Sequence, residues 1–200
     1  MRLVSRVEPD VEDAMLAQLR PADVMWDVGA NIGWFALLAA RAVGPSGNVT
    51  AFEPSPSNAA QIKANASRNG LRLTVVGAAV SDVIGWAQFD DRSSLTGRLS
   101  ETGQSVVPTV TLDDWAARHE APSLLKLDVE GAEIAALTGA RRLLAESRPV
   151  ILCECHGTQL EINEILCKAG YAVTAVEMPC MPIEDAPWWV HLLATPDGSG

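Results

Sequence analysis

The chain has 200 residues, of which 48% are hydrophobic and 20% are charged, so it is long enough for one globular domain with a full core. Its formal net charge of −10 opposes a phosphate backbone, and we therefore expect a small or neutral substrate and no nucleic-acid partner. Its apolar runs are shorter than the roughly 18 residues of a membrane span, and its first residues lack the apolar core of a signal peptide. We therefore expect a cytoplasmic protein with reduced cysteines and no membrane partner, in an oligomeric state that the composition leaves open.

Short apolar runs alternate along the chain with stretches of helical pattern. The predicted helices cover residues 9–19, 32–43, 56–69, 132–145 and 160–169, and the predicted strands cover residues 24–27, 49–52, 71–76, 124–129, 150–155, 171–176 and 189–194. Such alternation predicts an α/β fold, with a doubly wound, mostly parallel sheet and helices on both faces. The last two strands are joined by a Pro-rich link, which predicts an antiparallel hairpin at the edge of the sheet.

Residues 81–110 interrupt this alternation with several glycines and many Ser and Thr residues. Two interpretations stay open: a substrate-facing insertion or lid, and a plain hairpin with a surface loop. Directly after this region, Thr111 followed by Asp113 and Asp114 predicts a capped helix with an acidic first turn. The chain is thus predicted to be a single domain of residues 1–200, with a lead-in helix within residues 1–20 and a frayed tail at 196–200.

A glycine-containing turn, D-V-G-A-N-I-G-W-F, begins at Asp27 between a predicted strand and a predicted helix. Such a turn directs free N–H groups and a helix dipole at a ligand. A dinucleotide fold needs a middle glycine beside the pyrophosphate, but here Asn31 stands between Gly29 and Gly33. S-adenosylmethionine has no pyrophosphate; its carboxylate suits the helix N-terminus, and its ammonium would lie near Asp27. Glu53, about 20 residues beyond Gly33, could accept both ribose hydroxyls. A tight turn without a ligand is the alternative.

The second informative segment is L-L-K-L-D-V-E-G-A-E, in which Lys126, Asp128 and Glu130 alternate with apolar residues and so share one side of a strand. The next predicted strand ends with Glu154 and His156, which also share a face. If the two strands are neighbours, these side chains converge at the carboxyl edge of the sheet, where open α/β sheets bind their ligands. The pattern predicts a catalytic site formed by His156, Asp128, Glu154 and Glu130. The alternative is a buried Lys126–Glu154 ion pair with the remaining groups solvated.

Several motifs together resemble the FkbM-type methyltransferases, a branch of the class I S-adenosylmethionine-dependent enzymes. They are D-V-G-A-N-I-G, F-E-P-S-P-S-N, A-V-S-D, T-L-D-D-W, L-L-K-L-D-V-E-G-A-E and R-P-V-I-L-C-E-C-H. The resemblance extends from about residue 24 to residue 156, and K-L-D-V-E-G-A-E followed by E-C-H is its most specific part. It implies a seven-stranded Rossmann-like sheet with an antiparallel last strand. It also implies methyl transfer to a hydroxyl oxygen, often on a sugar or a polyketide-like natural product.

The resemblance further implies roles for individual residues. It assigns the cofactor loop to Asp27, Gly29, Asn31 and Gly33, and the ribose contact to Glu53. It places Ser81 and Asp82 near the adenine, and Asp128 on the sulfonium side of the site. The sequence departs from the wider class where an acidic residue often contacts adenine after the third strand, because residues 77–79 here are Gly-Ala-Ala. Backbone groups or Asp82 would have to serve. Little sequence precedes the first predicted strand, which leaves the lid and the substrate size open.

Methyl transfer to an alcohol needs alignment of the reacting atoms and a group that accepts the hydroxyl proton. His156 is the predicted general base, because an unperturbed imidazole titrates near neutrality and Glu154 or Asp128 could orient it. A histidine that merely caps the strand end is the alternative. His119 and His191 have no such neighbours in the sequence, and we expect them to be structural.

The same carboxylates raise the possibility of a metal ion. Asp128, Glu154 and His156 could offer two oxygens and an imidazole to Mg²⁺. A cationic cofactor and Lys126 would already offset the negative charge, so the sequence makes Mg²⁺ possible without requiring it.

Three functions therefore remain open at the level of sequence. The favoured one is an S-adenosylmethionine-dependent O-methyltransferase acting on a small molecule. The second is a catalytically silent protein that binds S-adenosylmethionine or serves as a partner subunit. The third is a nucleotide-sugar or NAD-dependent Rossmann enzyme, against which Asn31 argues.

Overall fold

A computed structural model describes residues 6–90, 98–99, 103 and 105–198 of the chain. The helices are α1 (Pro9–Gln18), α2 (Trp34–Val43), α3 (Pro56–Asn69), α4 (Leu112–Ala116), α5 (Glu133–Thr138) and α6 (Gln159–Lys168). The strands are β1 (Val24–Val28), β2 (Asn48–Phe52), β3 (Thr74–Val76), β4 (Ala79–Val80), β5 (Gly85–Asp90), β6 (Arg98–Leu99), β7 (Ser105–Val110), β8 (Leu124–Leu127), β9 (Val150–Glu154), β10 (Tyr171–Ala175) and β11 (His191–Pro196). A π-helical turn at Leu143–Ser147 and a 3₁₀ turn at Ile183–Asp185 complete these elements.

The large sheet has seven strands in the order β10-β11-β9-β8-β1-β2-β3. Strands β9, β8, β1, β2 and β3 pair in parallel, and β11 is antiparallel to both of its neighbours. The predicted doubly wound, mostly parallel sheet and the antiparallel pairing of its last two strands are confirmed. The antiparallel strand itself lies one place inside the edge, because the crossover through α6 leaves room for one strand between β9 and β10. The link that precedes it, residues 176–190, is longer than the sequence suggested and contains the 3₁₀ turn.

Both faces of the large sheet are covered by helices, because its strands are apolar on both sides. Met25 and Leu124 pack with α1, α2 and α3 on one face. The next residue of each strand, Trp26 or Leu125, packs with α4, α5 and α6 on the other face. This confirms the predicted helices on both faces. Within the described residues, no helix combines the length and apolar character that crossing a bilayer requires.

The boundaries of several elements follow from local chemistry. Ser55 caps α3 by accepting a hydrogen bond from the N–H of Asn58, and Gly70 ends it in a left-handed conformation. Thr111 caps α4 in the predicted way, accepting from the N–H of Asp114 at 3.1 Å. The predicted helix at 132–145 is instead divided near Gly139. A Cβ at Gly139 would lie 2.2 Å from the carbonyl oxygen of Ser81, so the chain passes too close there for any other residue.

Residues 81–110 contribute most of a second, four-stranded sheet with the order β4-β7-β5-β6. Strands β5 and β7 form an antiparallel pair from Gly85 opposite Thr109 to Phe89 opposite Ser105. This region therefore contains an antiparallel hairpin, and residues 91–97, 100–102 and 104 lie outside the described part of the chain. The predicted frayed tail at 196–200 begins too early, because β11 includes Pro196; residues 199–200 are outside the described part.

Candidate active site

An open cavity of about 620 Å³ lies at the carboxyl edge of the large sheet. Its walls come from the turn after β1, the end of β2 and the loop after β8, together with two short pieces of the second sheet. These segments are Gly29 and Asn31, residues 52–54, residues 128–130, residues 78–80 and Phe89. The cavity therefore has the position that the sequence predicts for the ligand of an open α/β sheet. Phe89 also shows that the region 81–110 contributes to this site.

The glycine turn is fixed by contacts within the protein. Gly29 has a φ of +79°, and a Cβ there would lie 1.7 Å from the carbonyl oxygen of Asp128. Its N–H and that of Ala30 donate to the carbonyl of Phe52 at 3.0 and 3.1 Å. The N–H of Asn31 donates to Glu53 at 2.8 Å. The sequence predicts free N–H groups here; these three are instead used to join the turn to β2.

Glu53 lies at the cavity, as predicted, and is only 5% exposed. Its two carboxylate oxygens accept hydrogen bonds from the N–H groups of Asn31 and Ser55, each at 2.8 Å. Burial raises the pKa of Glu53 to about 7, although these two hydrogen bonds act in the opposite direction. The backbone of the turn thus fixes the orientation of a carboxyl group that borders the cavity.

Asp27 and Gly33 are placed differently from the predicted cofactor loop. Asp27 is 1% exposed, and neither of its carboxylate oxygens has a hydrogen-bond partner among the described residues. Gly33 lies against Ile62 of α3, whose side-chain carbon would be 3.1 Å from an added Cβ. Within the described lining, Gly29 and Asn31 represent the turn. Asp27 lies within β1 and Gly33 directly precedes α2, and neither belongs to that lining.

Lys126 forms its ion pairs with Asp27 and Asp128, so the alternative of a Lys126–Glu154 ion pair is wrong. Its Nζ atom lies 3.1 Å from Asp128 Oδ2 and 4.0 Å from Asp27 Oδ1, and 4.6 Å from the centre of the Phe35 ring. Burial alone would lower the pKa of Lys126, but the two aspartates raise it above its usual range. Burial alone would raise the pKa of Asp128, but Lys126 lowers it. Asp128 therefore borders the cavity as a carboxylate held by a buried ammonium group.

His156 lies among carboxylates, and its main partner is Glu133, to which the sequence assigned no role. Nδ1 of His156 is 2.9 Å from Glu133 Oε1, while Nε2 is 3.5 Å from Glu130 Oε2 and 3.6 Å from Glu154 Oε1. Glu133 is fully buried at the start of α5 and also accepts from the N–H of Gly131 at 2.9 Å. It is the last letter of the K-L-D-V-E-G-A-E motif, which was the available signal. Asp128, expected to orient the imidazole, pairs with Lys126 instead.

The surroundings of His156 change its titration. The hydrogen bond with Glu133 raises the pKa of His156 to about 9; burial acts against this, and the charges of Glu133, Glu130 and Glu154 add to it. The imidazole is therefore protonated near neutral pH in this arrangement. A pKa near neutrality, on which the sequence argument for a base depended, is not what the site provides.

The two remaining histidines differ from each other. His119 is exposed and stacks on Trp115 with a ring separation of 3.8 Å, in keeping with a structural role. His191, by contrast, is buried beside Glu8, Glu154 and Glu177, so the expectation that it lacks carboxylate neighbours is wrong. The antiparallel pairing of β11 with β9, which the sequence does not specify, places His191 opposite Glu154.

Ser81 and Asp82, the residues predicted to lie near adenine, are not among the described residues that line the cavity. Ser81 donates to the carboxylate of Asp82 at 3.1 Å, and Asp82 is exposed. At this point the described lining consists of residues 78–80, which include β4.

The three groups predicted as possible ligands of Mg²⁺ do not form one set. Asp128, Glu130 and His156 have ligand atoms within 4.8 Å of one another, whereas Glu154 groups with Glu8 and His191.

The sheet order and the position of the cavity define a Rossmann-like fold of the class I methyltransferase type. A crystal structure of a methyltransferase FkbM from Methylobacillus flagellatus matches 86% of this chain and 43% of its own chain, with a TM-score of 0.63 and 22% identity. A SAM-dependent O-methyltransferase from Thermotoga maritima matches 100% of this chain and 69% of its own, with a TM-score of 0.60 and 18% identity.

The family model described as the methyltransferase FkbM domain matches residues 27–173. The chain therefore belongs to the FkbM methyltransferase family. It is 30% identical over 156 residues to the hexuronic acid methyltransferase AglP of Haloferax volcanii, spanning 76% of this chain and 63% of that protein. It is also 30% identical over 202 residues to the 31-O-demethyl-FK506 methyltransferase FkbM of Streptomyces tacrolimicus, spanning 81% of this chain and 77% of that protein.

Proposed function

We propose that this protein is an S-adenosylmethionine-dependent O-methyltransferase that methylates a hydroxyl group of a small molecule. The observation that carries the proposal is the charge of the cavity. Its charged side chains, among the described lining residues, are the carboxyl groups of Glu53, Asp128 and Glu130. Such a lining attracts a cationic ligand and repels the pyrophosphate of a dinucleotide.

The described residues fit the parts of S-adenosylmethionine. Glu53, fixed by two backbone N–H groups, would accept the ribose hydroxyls. Phe52 and Phe89 provide apolar surface for the adenine ring. Asp128 and Glu130 supply negative charge for the sulfonium and ammonium side. Asp27, which the sequence placed near the ammonium, would act indirectly by keeping Lys126 in position.

When bound, S-adenosylmethionine supplies a methyl group that its sulfonium already activates. The chain would align the acceptor hydroxyl with that methyl group and accept its proton at Nε2 of His156. Glu133 would hold the ring through Nδ1 and stabilise the imidazolium that results. Because His156 has a raised pKa, the base exists only after the imidazole has lost a proton. A nearby cationic cofactor would favour that loss.

The acceptor class is taken from the curated relatives, whose names specify a hexuronic acid and a demethylated FK506. We propose a hydroxyl of a sugar or of a polyketide-like natural product as the acceptor. The chain spans 63% of the length of the Haloferax volcanii relative.

We further propose that methyl transfer does not depend on Mg²⁺. Lys126 Nζ, at 3.1 Å from Asp128 Oδ2, already occupies one oxygen of the carboxylate that would be the metal's first ligand. Protein stripped with a chelator and desalted should therefore gain no turnover when Mg²⁺ is added. A restoration of turnover by Mg²⁺, weakened in Asp128→Asn, would contradict this part of the proposal.

The cofactor assignment is tested by ligand-dependent melting. S-adenosylhomocysteine, the product, should raise the Tm by mass action, whereas NAD should not. Incubation with radiolabelled S-adenosylmethionine and a panel of uronic acids, neutral sugars and polyketide alcohols should then transfer label to one class of acceptor. Equal Tm shifts with NAD and S-adenosylhomocysteine would refute the cofactor. A positive Tm shift without transfer to any hydroxyl compound would instead favour a silent binding protein.

A further inference from the structure

A second histidine site lies outside the candidate cofactor cavity. The pairing of β9 with β11 places His191 directly opposite Glu154. The Nε2 atom of His191 is 3.4 Å from Glu154 Oε2 and 3.4 Å from Glu8 Oε2, a residue that directly precedes α1. Three parts of the chain that are far apart in sequence thus bring an imidazole and two carboxylates together.

The imidazole of His191 is hydrogen-bonded on one side, and on the other side its Nε2 atom faces two carboxylates without forming a hydrogen bond to a described residue. Its Nδ1 atom is 2.5 Å from Glu177 Oε1, and the second oxygen of Glu177 accepts the backbone N–H of His191 at 3.2 Å. His191 is only 7% exposed, yet its Nε2 atom has no hydrogen-bond partner among the described residues. Buried polar atoms are rarely left in this state. A histidine that donates one ring N–H to a carboxylate and presents the other nitrogen is the usual arrangement of a metal ligand.

The spacing of the donor atoms fits a small metal ion. In a tetrahedral zinc site, metal–ligand bonds of about 2.0–2.1 Å place neighbouring ligand atoms about 3.3–3.4 Å apart. The two measured distances from Nε2 have this value, and the three donor atoms all lie within 4.8 Å of one another. We propose that Glu8, Glu154 and His191 bind a divalent transition-metal ion, with Zn²⁺ as the best fit.

The donor set and its exposure specify the kind of site. One imidazole and two carboxylates favour zinc, cobalt or manganese over Mg²⁺, which prefers oxygen ligands alone. The side chains of Glu8 and Glu154 are 40% and 24% exposed, so an ion can enter from solvent and retain water at the remaining position. The site is distinct from the set formed by Asp128, Glu130 and His156, with which it shares no ligand.

The site would connect the segment before α1 to the large sheet. That segment is already held near its place, because the N–H of Glu8 donates to the carboxylate of Glu12 at 3.2 Å. Glu12 is itself buried and accepts from the indole N–H of Trp34 at 2.9 Å. The ligands are therefore positioned before the metal arrives, and an ion that binds only the folded chain must stabilise it.

The proposal is tested with two metals and two readouts. Metal-free protein is titrated with Co²⁺ and followed by its visible absorption, and its Tm is measured with and without Zn²⁺. We expect one Co²⁺ per chain, and a Tm increase of about 5–10 °C at a Zn²⁺ concentration of 100 times Kd. The Glu8→Ala and His191→Ala variants should bind Co²⁺ at least about tenfold more weakly.

Matched variants distinguish the two clusters. His156→Ala removes the histidine of the other cluster, and His119→Ala removes an exposed one; both should keep the Co²⁺ spectrum and the Zn²⁺-dependent Tm increase. Loss of Co²⁺ binding in His156→Ala with retention in His191→Ala would overturn the assignment. So would the absence of stoichiometric binding in the wild type, which would leave His191 as an imidazolium paired with its glutamates. If circular dichroism shows that His191→Ala does not fold, Glu8→Ala decides, because Glu8 is partly exposed.

Discussion

The cavity and the histidine cluster next to it are built in different ways. At the cavity, the turn after β1 and the end of β2 are joined by backbone groups: Gly29 and Ala30 bind the carbonyl of Phe52, and Asn31 binds Glu53. In the cluster, His156 is held by side chains, with Glu133 at 2.9 Å and Glu130 and Glu154 within 3.6 Å, and of these only Glu130 also belongs to the described cavity lining. Backbone contacts fix position, whereas contacts between ionisable side chains fix protonation. Substitutions at the cavity should therefore change structure and affinity, and those in the cluster should change turnover and its pH dependence.

The largest expected effect is on turnover. His156→Ala should lower kcat by roughly 10²–10⁴, because the hydroxyl proton loses its acceptor. Calorimetry should show nearly unchanged affinity for S-adenosylhomocysteine, because the cofactor side is intact. His119→Ala is the matched control and should retain full kcat. Full turnover in His156→Ala with the cofactor bound would remove the base assignment and leave Glu130 or simple positioning of the hydroxyl as the account.

A comparable effect on stability is expected at the turn. Gly29→Ala should destabilise the fold by about 3–5 kcal/mol, since it combines a left-handed residue with overlap of its Cβ and the Asp128 carbonyl. Gly70→Ala is the control: φ is +64° there too, but an added Cβ has no described atom within 4 Å. It should cost about 1–2 kcal/mol. Urea denaturation measures both values, and equal losses would show that the close approach at Gly29 does not matter.

The ribose contact should have a smaller effect, confined to affinity. Glu53→Ala should weaken S-adenosylhomocysteine binding by about 1.5–3 kcal/mol, the value of a hydrogen bond to a charged group. Glu53→Gln keeps one acceptor oxygen for the turn and should lose less affinity for S-adenosylhomocysteine than Glu53→Ala. Calorimetry gives both affinities, and a thermal melt checks that the turn is intact. An unchanged Kd in both variants would exclude Glu53 from the site.

The smallest expected effect is a shift in the pH dependence of kcat/KM. A base with a raised pKa is active only when deprotonated, so kcat/KM, which reports the free protein, should rise with pH to a plateau above about 9. Glu133→Gln removes the main cause of the raised pKa and should move this rise about one pH unit or more toward 6.5. Glu146→Gln, far from the cavity, should leave the profile in place. A profile that Glu133→Gln does not shift would mean that His156 does not control turnover.

Much of the fold could be predicted because its signals are local. The helix at Pro56–Asn69 was predicted with the observed bounds, since Ser55 and Gly70 mark its ends. The split of the helix after β8 could not be predicted, because it coincides with contacts from a remote residue: Asp113 of α4 donates its N–H to the carbonyl of Gly139 and accepts from the N–H groups of Arg142 and Leu143. The position of β11 inside the edge depends likewise on how a crossover returns to the sheet.

The candidate site divides in the same way. Glu53, Gly29 and Asn31 were found from spacing to a predicted strand end, and the structure places all three at the cavity. Lys126, Asp128 and His156 were predicted to meet at one edge, but their partners were assigned incorrectly. Glu133 and Glu154 are both glutamates at element boundaries, and nothing in their local sequence distinguishes the one that binds Nδ1 of His156.

The sequence by itself determined the succession of strands and helices of the large sheet and the glycine turn, because periodicity, capping and steric requirements act over a few residues. Its motifs indicated the family by resemblance. The tertiary structure decided which carboxylate pairs with which cation. It placed Lys126 with Asp128, His156 with Glu133, and His191 with Glu154 and Glu8. Coulomb energies and burial depend on distances between groups that are remote along the chain, and carboxylates of the same type are equivalent until the fold sets those distances.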